Sequence, residues 1–200
     1  GALDLAGGEA DLPDESRLFT GHVCEPGGRA AKWESAVGEQ KRSNPHLVGM
    51  TEERFVARMN AKAHELGMRA SRFVEPTGLS SHNVSTAEDL AVLVRASLDY
   101  PLIREFTTTP SAQIHTADTG AVYGFNNSNG LVRTSTWQID VSKTGYIAEA
   151  GQCLVMQARI RDRPIVIILL DSWGKYTRIG DANRIKKWLE SNDLLAGHSS

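Results

Sequence analysis

A lysine, a threonine and a glycine occupy positions 143 to 145, at the end of a strand-like run that begins near Trp137. An ammonium and a hydroxyl on neighbouring strand residues can bind a carboxylate and hold the adjacent acyl group. A glycine beside them lets a ligand backbone approach the strand closely. Lys143, Thr144 and Gly145 are therefore candidate substrate-binding residues. Because so short a triplet also arises by chance, the alternative for Lys143 is a solvated lysine at a strand end.

Other functional classes find little support in the sequence. The histidines His64, His82 and His115 lack the spacing of a zinc site, so we predict no metal. The net charge of −2 and the scattered basic residues give no electrostatic basis for nucleic-acid binding. The longest apolar run, 165–170, is far shorter than the roughly 18 residues of a membrane span. Cys24 and Cys153 either pair or stay free, and their number does not reveal the compartment.

Local patterns predict an α+β fold in which helices cover an antiparallel sheet. The predicted elements are, in chain order, a helix capped by Thr51, a helix from the Ser85–Glu88 capping box, a helix stop or short helix at Pro101, loops and short strands over 107–136, strands over 141–144, 153–160 and 165–170, and a helix capped by Asp181. The short connections between the strands favour hairpins, because a parallel crossover needs a dozen or more residues.

Burial can be predicted for parts of these elements. The strand over 165–170 is expected to be buried on both faces, because its apolar run is continuous. The last helix should cover one face of the sheet through Ile185, Trp188 and Leu189. Trp137 and Trp173 are expected to pack around the hairpin rather than to form a stacking platform.

A longer series of motifs surrounds the triplet in one order along the chain. These motifs are Met59–Ala63 with Leu66–Met68, Phe73–Leu79, Asn83–Ala87, Tyr100-Pro101, Asn126–Asn129, Ser142–Tyr146, Gly151–Val155 and Leu169–Ser172. Together they resemble the C-terminal part of the low-molecular-mass penicillin-binding proteins, the serine D-alanyl-D-alanine carboxypeptidases and endopeptidases. The periplasmic endopeptidase branch, which cuts D-alanyl cross-links in peptidoglycan, is the most similar. The resemblance implies a penicillin-binding and β-lactamase-like transpeptidase fold that is incomplete at its N-terminus.

The same resemblance carries functional expectations. It implies that Lys143, Thr144 and Gly145 bind substrate and that Lys143 and Thr144 also act in catalysis. It implies a bacterial, exported, periplasmic hydrolase that needs no cofactor and works through an acyl-enzyme. Its expected partners are peptidoglycan peptides with D-alanyl termini or cross-links, and β-lactams as inhibitors, with a loose membrane or cell-wall association left open. The sequence starts at Gly1 without a methionine or a signal-like apolar region, so an export signal is expected outside it.

Two of the three motifs that build such a site are not found where the family has them. A Ser-x-x-Lys at a helix start supplies the nucleophile and its base in this family, and the resemblance places it before Gly1. We therefore expect both residues to be absent from this chain. A Ser-x-Asn loop should precede Phe55. Ser81-His82-Asn83 fits that pattern, but in the resemblance it belongs to a later turn, and Asn127-Ser128-Asn129 is expected to be structural support.

The beginning of the chain fits the family poorly. We therefore divide the chain into a poorly matching segment, residues 1–48, and a C-terminal D,D-peptidase part, residues 49–200. One hypothesis for residues 19–48 is a shifted reading frame, in which 37–43 would read Ser-Ala-Asn-Lys-Ser-Ala-Arg. The alternative is true divergence of a poorly ordered segment rich in glycine, proline and charge. The nucleotide sequence distinguishes the two.

Three functional interpretations therefore stand beside one another. The first is a serine D,D-peptidase of which this chain is the C-terminal part. The second is a non-catalytic remnant or binding module that keeps the fold and a carboxylate-binding edge. The third is a serine β-lactamase, although the motifs around Asn60 and Pro76–Gly78 favour the peptidases.

Overall fold

The computed structural model describes residues 51–116 and 120–191. Residues 1–48, with their frame-shift hypothesis and Cys24, lie outside the described ranges. In chain order the elements are α1 (Glu52–Glu65), α2 (Ala87–Ser97), α3 (Pro101–Thr108), β1 (Ser111–His115), β2 (Val122–Asn126), a 3-10 turn (Gly130–Arg133), β3 (Gln138–Ile147), β4 (Gly151–Ile160), β5 (Arg163–Ser172) and α4 (Thr177–Ser191). The mixture of helices and antiparallel strands agrees with the predicted α+β class.

The helix starts follow local capping chemistry, with one shift from the prediction. The Thr51 hydroxyl accepts from the Arg54 backbone N–H, as expected for the cap of α1. The cap of α2 is Thr86, which accepts from the Asp89 N–H at 3.2 Å, so the predicted box at Ser85 is wrong by one residue. The reason is a competing partner, because the Ser85 hydroxyl lies 2.7 Å from that of Ser71.

The main sheet contains three antiparallel strands in the order β3-β4-β5, and both connections are hairpins, as predicted. The turn between β4 and β5 places Arg161 and Asp162 at φ 50° and 61°, a left-handed conformation in which the chain reverses tightly. A separate two-stranded ribbon is formed by β1 and β2. None of the helices in the described ranges is long and apolar enough to cross a membrane.

Each face of the main sheet packs against different helices. On one face, the side chains of Leu154, Met156, Ala158 and Ile160 are fully buried, together with Ala182 of α4. On the other face, Val141 packs with residues of α2 and α3, including Val94 and Ile103. Because successive strand residues point to opposite faces, β4 and β5 contribute to both clusters.

The last helix starts earlier than predicted. It begins at Thr177, whose hydroxyl donates to the Trp173 carbonyl after the chain turns at Gly174, so the predicted start at Asp181 is wrong. Ile185 and Leu189 pack against the sheet as expected, whereas 54% of Trp188 is exposed, which contradicts its predicted packing. A helix that starts one turn earlier leaves Asp181 to pair with Arg184 on its surface.

The prediction that 165–170 is buried on both faces is also wrong. In this segment only Ile167 is fully buried, and 41% of Leu170 is exposed. The physical reason is position, because β5 is the last strand of the sheet in the described ranges. Trp137 is buried as predicted, but Trp173 is 91% exposed and does not pack around the hairpin. The chain thus presents apolar surface that its described residues do not cover.

Candidate functional site

The Lys-Thr-Gly triplet lies on β3, at the edge of the sheet opposite to β5. Lys143 pairs with Val155, Thr144 with Leu154 and Gly145 with Cys153, all on β4. The other side of β3 is contacted by the end of α3, where the Thr107 hydroxyl is 3.4 Å from the backbone nitrogen of Ser142. The structure therefore places the three predicted residues side by side on an edge strand, with Lys143 and Gly145 half-buried and Thr144 buried.

Thr144 is held by a contact that sequence reasoning did not identify. Its hydroxyl lies 2.7 Å from that of Ser128, and only 6% of the residue is exposed. Hydrogen bonds of the two neighbouring asparagines fix the Ser128 loop. The Asn127 amide donates to the carbonyls of Thr107 and Thr109, and the buried Asn129 accepts from the Leu131 N–H. The prediction that this loop gives structural support therefore agrees with its contacts, and the support reaches the triplet itself.

The Lys143 side chain turns back along its own strand. The residue is half-buried, and its ammonium donates to the Thr144 carbonyl. The positive charge therefore lies beside the backbone of the triplet. Because successive strand residues point to opposite faces of the sheet, the Lys143 side chain starts on the face away from the Thr144 hydroxyl.

Arg178, in the first turn of α4, is a second residue that the sequence analysis missed. Its guanidinium donates to the carbonyls of Gly145 at 3.1 Å and Cys153 at 3.2 Å, while its buried Nε has no partner. Burial lowers the pKa of Arg178, and the nearby Cys153 thiol opposes that shift. No local motif marks this arginine, because the carbonyls that it binds lie on other strands, more than twenty residues away along the chain.

Ser81-His82-Asn83 forms a closed turn, as its structural interpretation predicted. The Asn83 side chain accepts from the Val74 N–H and donates to the Glu75 carboxylate, each at 2.7 Å. Burial raises the pKa of Glu75, but hydrogen bonds from Thr77, Ser80 and Gly78 outweigh it and lower the pKa below the usual 4.5. All partners of Asn83 among these hydrogen bonds belong to the same loop, so the motif is engaged in holding the turn.

One Ser-x-x-Lys spacing does occur in this chain, which corrects the expectation that the motif is absent. It is Ser172-Trp173-Gly174-Lys175. Ser172 ends β5, and the ammonium of Lys175 lies over the Tyr176 ring, 5.5 Å from its centre. In the family the motif opens a helix, which puts both side chains on one face. A strand end followed by an irregular turn does not provide that arrangement.

The described ranges contain no group of three histidine, cysteine, aspartate or glutamate residues that could hold a metal ion. Cys153 is a half-buried free cysteine. It is the strand partner of Gly145. A Cβ atom added to Gly145 would lie 4.0 Å from the Cβ of Cys153, so the two residues are in close contact.

Known proteins are similar to this chain over about 70% of its length. The family model described as D-alanyl-D-alanine carboxypeptidase matches residues 45–173. A D-alanyl-D-alanine endopeptidase of Pseudomonas aeruginosa is 49% identical over 71% of this chain and 46% of its own length. The enzyme of the same description from Escherichia coli is 45% identical over 70% of this chain and 46% of its own length.

Solved structures show the same fold. The Streptomyces K15 DD-transpeptidase superposes with a TM-score of 0.62 at 26% identity, over 68% of this chain and 53% of that chain. Penicillin-binding protein D2 from Listeria monocytogenes, in a cefotaxime-bound form, gives a TM-score of 0.56 at 30% identity, over 66% of this chain and 53% of that chain. The chain thus spans about half the length of the relatives it matches.

Proposed function

Because this chain belongs to the D-alanyl-D-alanine carboxypeptidase family, we propose that it forms the C-terminal part of a serine D-alanyl-D-alanine carboxypeptidase or endopeptidase that acts on peptidoglycan. The observation that carries this proposal is the Lys143-Thr144-Gly145 triplet on the edge strand β3, inside the matched range. Residues 49–200 form the peptidase part of the chain, a division that the match from residue 45 supports.

Each residue of the triplet has a role that follows from its position. The Lys143 ammonium and the Thr144 hydroxyl receive the carboxylate of the terminal D-alanine, which fixes the scissile amide along β3. Gly145 lets the peptide backbone lie against the strand. Ser128 orients the Thr144 hydroxyl, since the two oxygens are within hydrogen-bond distance. Arg178 holds the carbonyls of Gly145 and Cys153 and so restrains the two strands at the end of the triplet.

The proposed reaction is acyl transfer through a serine. The nucleophile attacks the carbonyl of the penultimate D-alanine, the terminal amine leaves with a proton, and water then hydrolyses the ester. Positive charge and hydrogen-bond donors at the triplet stabilise the substrate as negative charge develops on the carbonyl oxygen. The serine and its lysine base are assigned to the family's Ser-x-x-Lys motif, in the half of the relatives that this chain does not span.

The proposed substrates are peptidoglycan peptides with D-alanyl termini or cross-links, and β-lactams are the proposed inhibitors. The cefotaxime-bound form of the Listeria protein supports the β-lactam assignment. The names of the P. aeruginosa and E. coli relatives support action on D-alanyl-D-alanine bonds. A periplasmic location follows from this substrate in bacteria with an outer membrane.

The second candidate is a binding module that holds the carboxylate but cannot acylate. The position of Ser172 and Lys175 favours it for the chain alone, because the only Ser-x-x-Lys spacing in the sequence starts at a strand end and not at a helix. Such a module would bind D-alanyl peptides reversibly.

Penicillin labelling distinguishes the two candidates. A chimera is made in which the upstream half of the P. aeruginosa endopeptidase precedes residues 49–200 of this chain. The enzyme proposal expects stoichiometric labelling of the chimera by fluorescent penicillin and no adduct on the chain alone, measured by intact-mass spectrometry. An unlabelled chimera that folds cooperatively would favour the binding module, whereas an adduct on the chain alone would overturn the assignment of the nucleophile.

A further inference from the structure

The ribbon formed by β1 and β2 has one apolar face, which stays largely exposed in the described part of the chain. Cross-strand partners share a face, and so do residues two apart along a strand. Ala112 and its partner Phe125 therefore lie on the same face as Ile114 and its partner Tyr123. We refer to these four residues as the ribbon face. Ile114 is 49% exposed and Tyr123 is 52% exposed. Because a two-stranded ribbon is marginally stable by itself, an exposed apolar face on it points to a binding surface.

Hydrogen bonds at the base of the ribbon attach it to the triplet. The Asn127 N–H donates to the Pro110 carbonyl at 2.9 Å, which closes the ribbon at its base. The next residue is Ser128, whose hydroxyl lies 2.7 Å from that of Thr144. Phe125 is three residues before Ser128, so even a fully extended chain keeps the two within roughly 11 Å of each other. The ribbon face therefore begins close to the proposed carboxylate site.

The position of α3 indicates which part of a ligand meets the ribbon. In the proposed function, the peptide backbone that leads to the carboxylate at Lys143 lies against Gly145. The residue that is released therefore lies on the opposite side of the triplet, toward Ser142. The end of α3 is found there, because the Ser142 hydroxyl donates to the Thr107 carbonyl at 3.4 Å. The same carbonyl accepts from the Asn127 amide at the base of the ribbon. A long side chain on the released residue thus leaves the site beside the ribbon.

The size of the ribbon face decides between two occupants. Strands of five residues, at about 3.3 Å per residue and about 4.8 Å apart, present a face of roughly 150–200 Å². A second copy of this chain would need about 800 Å² per partner for an interface of standard size. An extended peptide of about four residues, at the same rise per residue, covers the length of the ribbon. The ribbon face therefore fits a short peptide and is too small for a stable contact between copies.

We infer that the ribbon face binds the second peptide strand of a cross-linked ligand, the strand that is released when the D-alanyl bond is cut. This inference rests on the proposed function, because the triplet must hold the carboxylate beside that bond. In a cross-link, the released residue is joined to the second strand through its own side chain, and the aliphatic stem of that side chain packs on Ile114 and Tyr123. The ribbon face thus makes cross-linked peptides better ligands than single peptides that end in D-alanine.

Two peptides that differ only at the terminal residue test this inference on the chain as it exists. Acetyl-Gly-D-Ala-D-Ala is the single peptide. In the branched peptide, D-lysine replaces the terminal D-alanine, and its side-chain nitrogen carries acetyl-Ala-Ala. Calorimetry or NMR titration gives both dissociation constants. We expect the branched peptide to bind about tenfold more tightly, and we expect this ratio to fall to about twofold or less when Ile114→Ala and Tyr123→Ala are combined.

Matched variants separate the ribbon face from a general loss of aromatic surface. Trp188→Ala removes a tryptophan that is 54% exposed on the outer surface of α4, and it should keep the ratio. Tyr123→Phe retains the ring without its hydroxyl and should also keep the ratio, because the contact is apolar. A ratio that falls in either control as far as in the combined alanine variant would overturn the inference. Circular dichroism checks that each variant keeps the fold.

Lys143→Ala distinguishes a failure of this inference from a failure of the proposed function. It should weaken the binding of both peptides alike and so keep the ratio. Equal affinity of the two peptides, with Lys143 still required, would overturn the role of the ribbon face and leave the proposed function standing. Binding of neither peptide, or binding indifferent to Lys143, would overturn both. Sedimentation velocity tests the other occupant. Self-association that disappears in the combined alanine variant would make the ribbon face a contact between copies and overturn the inference.

Discussion

The two edges of the main sheet differ in how far the rest of the described chain covers and contacts them. At the β3 edge, Thr144 and Ser142 are almost completely buried, and residues from α3, the Ser128 loop and α4 contact this strand. At the β5 edge, an uncharged apolar run from Ile165 to Leu170 is only partly buried, and no described strand pairs with its outer side. Buried polar groups are costly unless they are hydrogen-bonded, so the partners of the Thr144 and Ser142 hydroxyls help to stabilise the first edge.

This difference concerns how far the described residues satisfy the polar groups and cover the apolar side chains at each edge. At the β3 edge, the Thr144 and Ser142 hydroxyls find partners among the described residues, whereas the buried Arg178 Nε does not. The β5 edge exposes backbone and apolar side chains that a soluble protein usually covers or guards with charge. We therefore expect the β5 edge to limit the stability and solubility of the chain, while the β3 edge determines what it binds.

The largest stability effect is expected at the inner side of β5. Ile167 is 3% exposed and belongs to the cluster beneath α4. Ile167→Ala should lower the free energy of unfolding by about 2–5 kcal/mol, because a cavity adds to the lost burial. Urea denaturation followed by circular dichroism measures this loss. Surface substitutions typically change the free energy of unfolding by about 0.5 kcal/mol or less. A loss no larger than this would mean that β5 does not pack against α4 as described.

A smaller effect is expected at the β3 edge. Thr144→Val keeps the shape of the side chain but removes the hydroxyl and leaves the Ser128 hydroxyl without this partner. The free energy of unfolding should fall by about 1–2 kcal/mol, and the affinity for D-alanyl peptides should fall as well. Thr144→Ser retains the hydroxyl and serves as the control. If valine and serine behave alike in peptide binding, the hydroxyl is not part of the site.

The sequence predicted the elements whose causes are local. Hairpins followed from short connections, and the Thr51 cap and the strand that carries the triplet followed from neighbouring residues. The contact of Ser128 with Thr144 and the role of Arg178 were missed, because the partners of both residues lie far away along the chain. The prediction that 165–170 is buried on both faces was wrong for a related reason. A continuous apolar run indicates that burying both faces of the strand is favourable, but it does not show whether a second element is present to cover them.

The start of α4, which was predicted at Asp181, is a further example of what local sequence patterns do not reveal. Asp181 is an acceptable cap by residue type, so the pattern alone does not reveal that the helix already starts at Thr177. The turn at Gly174 and the bond from the Thr177 hydroxyl to the Trp173 carbonyl place the start one turn earlier. That earlier start brings Arg178 into the helix and within reach of the triplet strand.

The smallest stability effect, but a clear change in solubility, is expected at the outer end of β5. Leu170→Lys places a charge on an edge residue that is 41% exposed. Its free energy of unfolding should change by no more than about 0.5 kcal/mol, while self-association should decrease because edge lysines oppose strand pairing. Light scattering over a concentration series measures the association. Leu79→Lys, on an exposed loop, is the matched control. Equal scattering by both variants would contradict a special role of the β5 edge.

The central claim is that the Lys143 ammonium holds the substrate carboxylate, and penicillin acylation of the chimera tests it most directly. Lys143→Ala should lower the acylation rate by about two orders of magnitude or more, because it removes a charge contact to the reacting ligand. Lys187→Ala removes an exposed lysine from α4 and should acylate at the unmodified rate. Stopped labelling reactions with fluorescent penicillin give both rates. Acylation of Lys143→Ala within a few-fold of the unmodified chimera would contradict the assignment of the triplet as the carboxylate site.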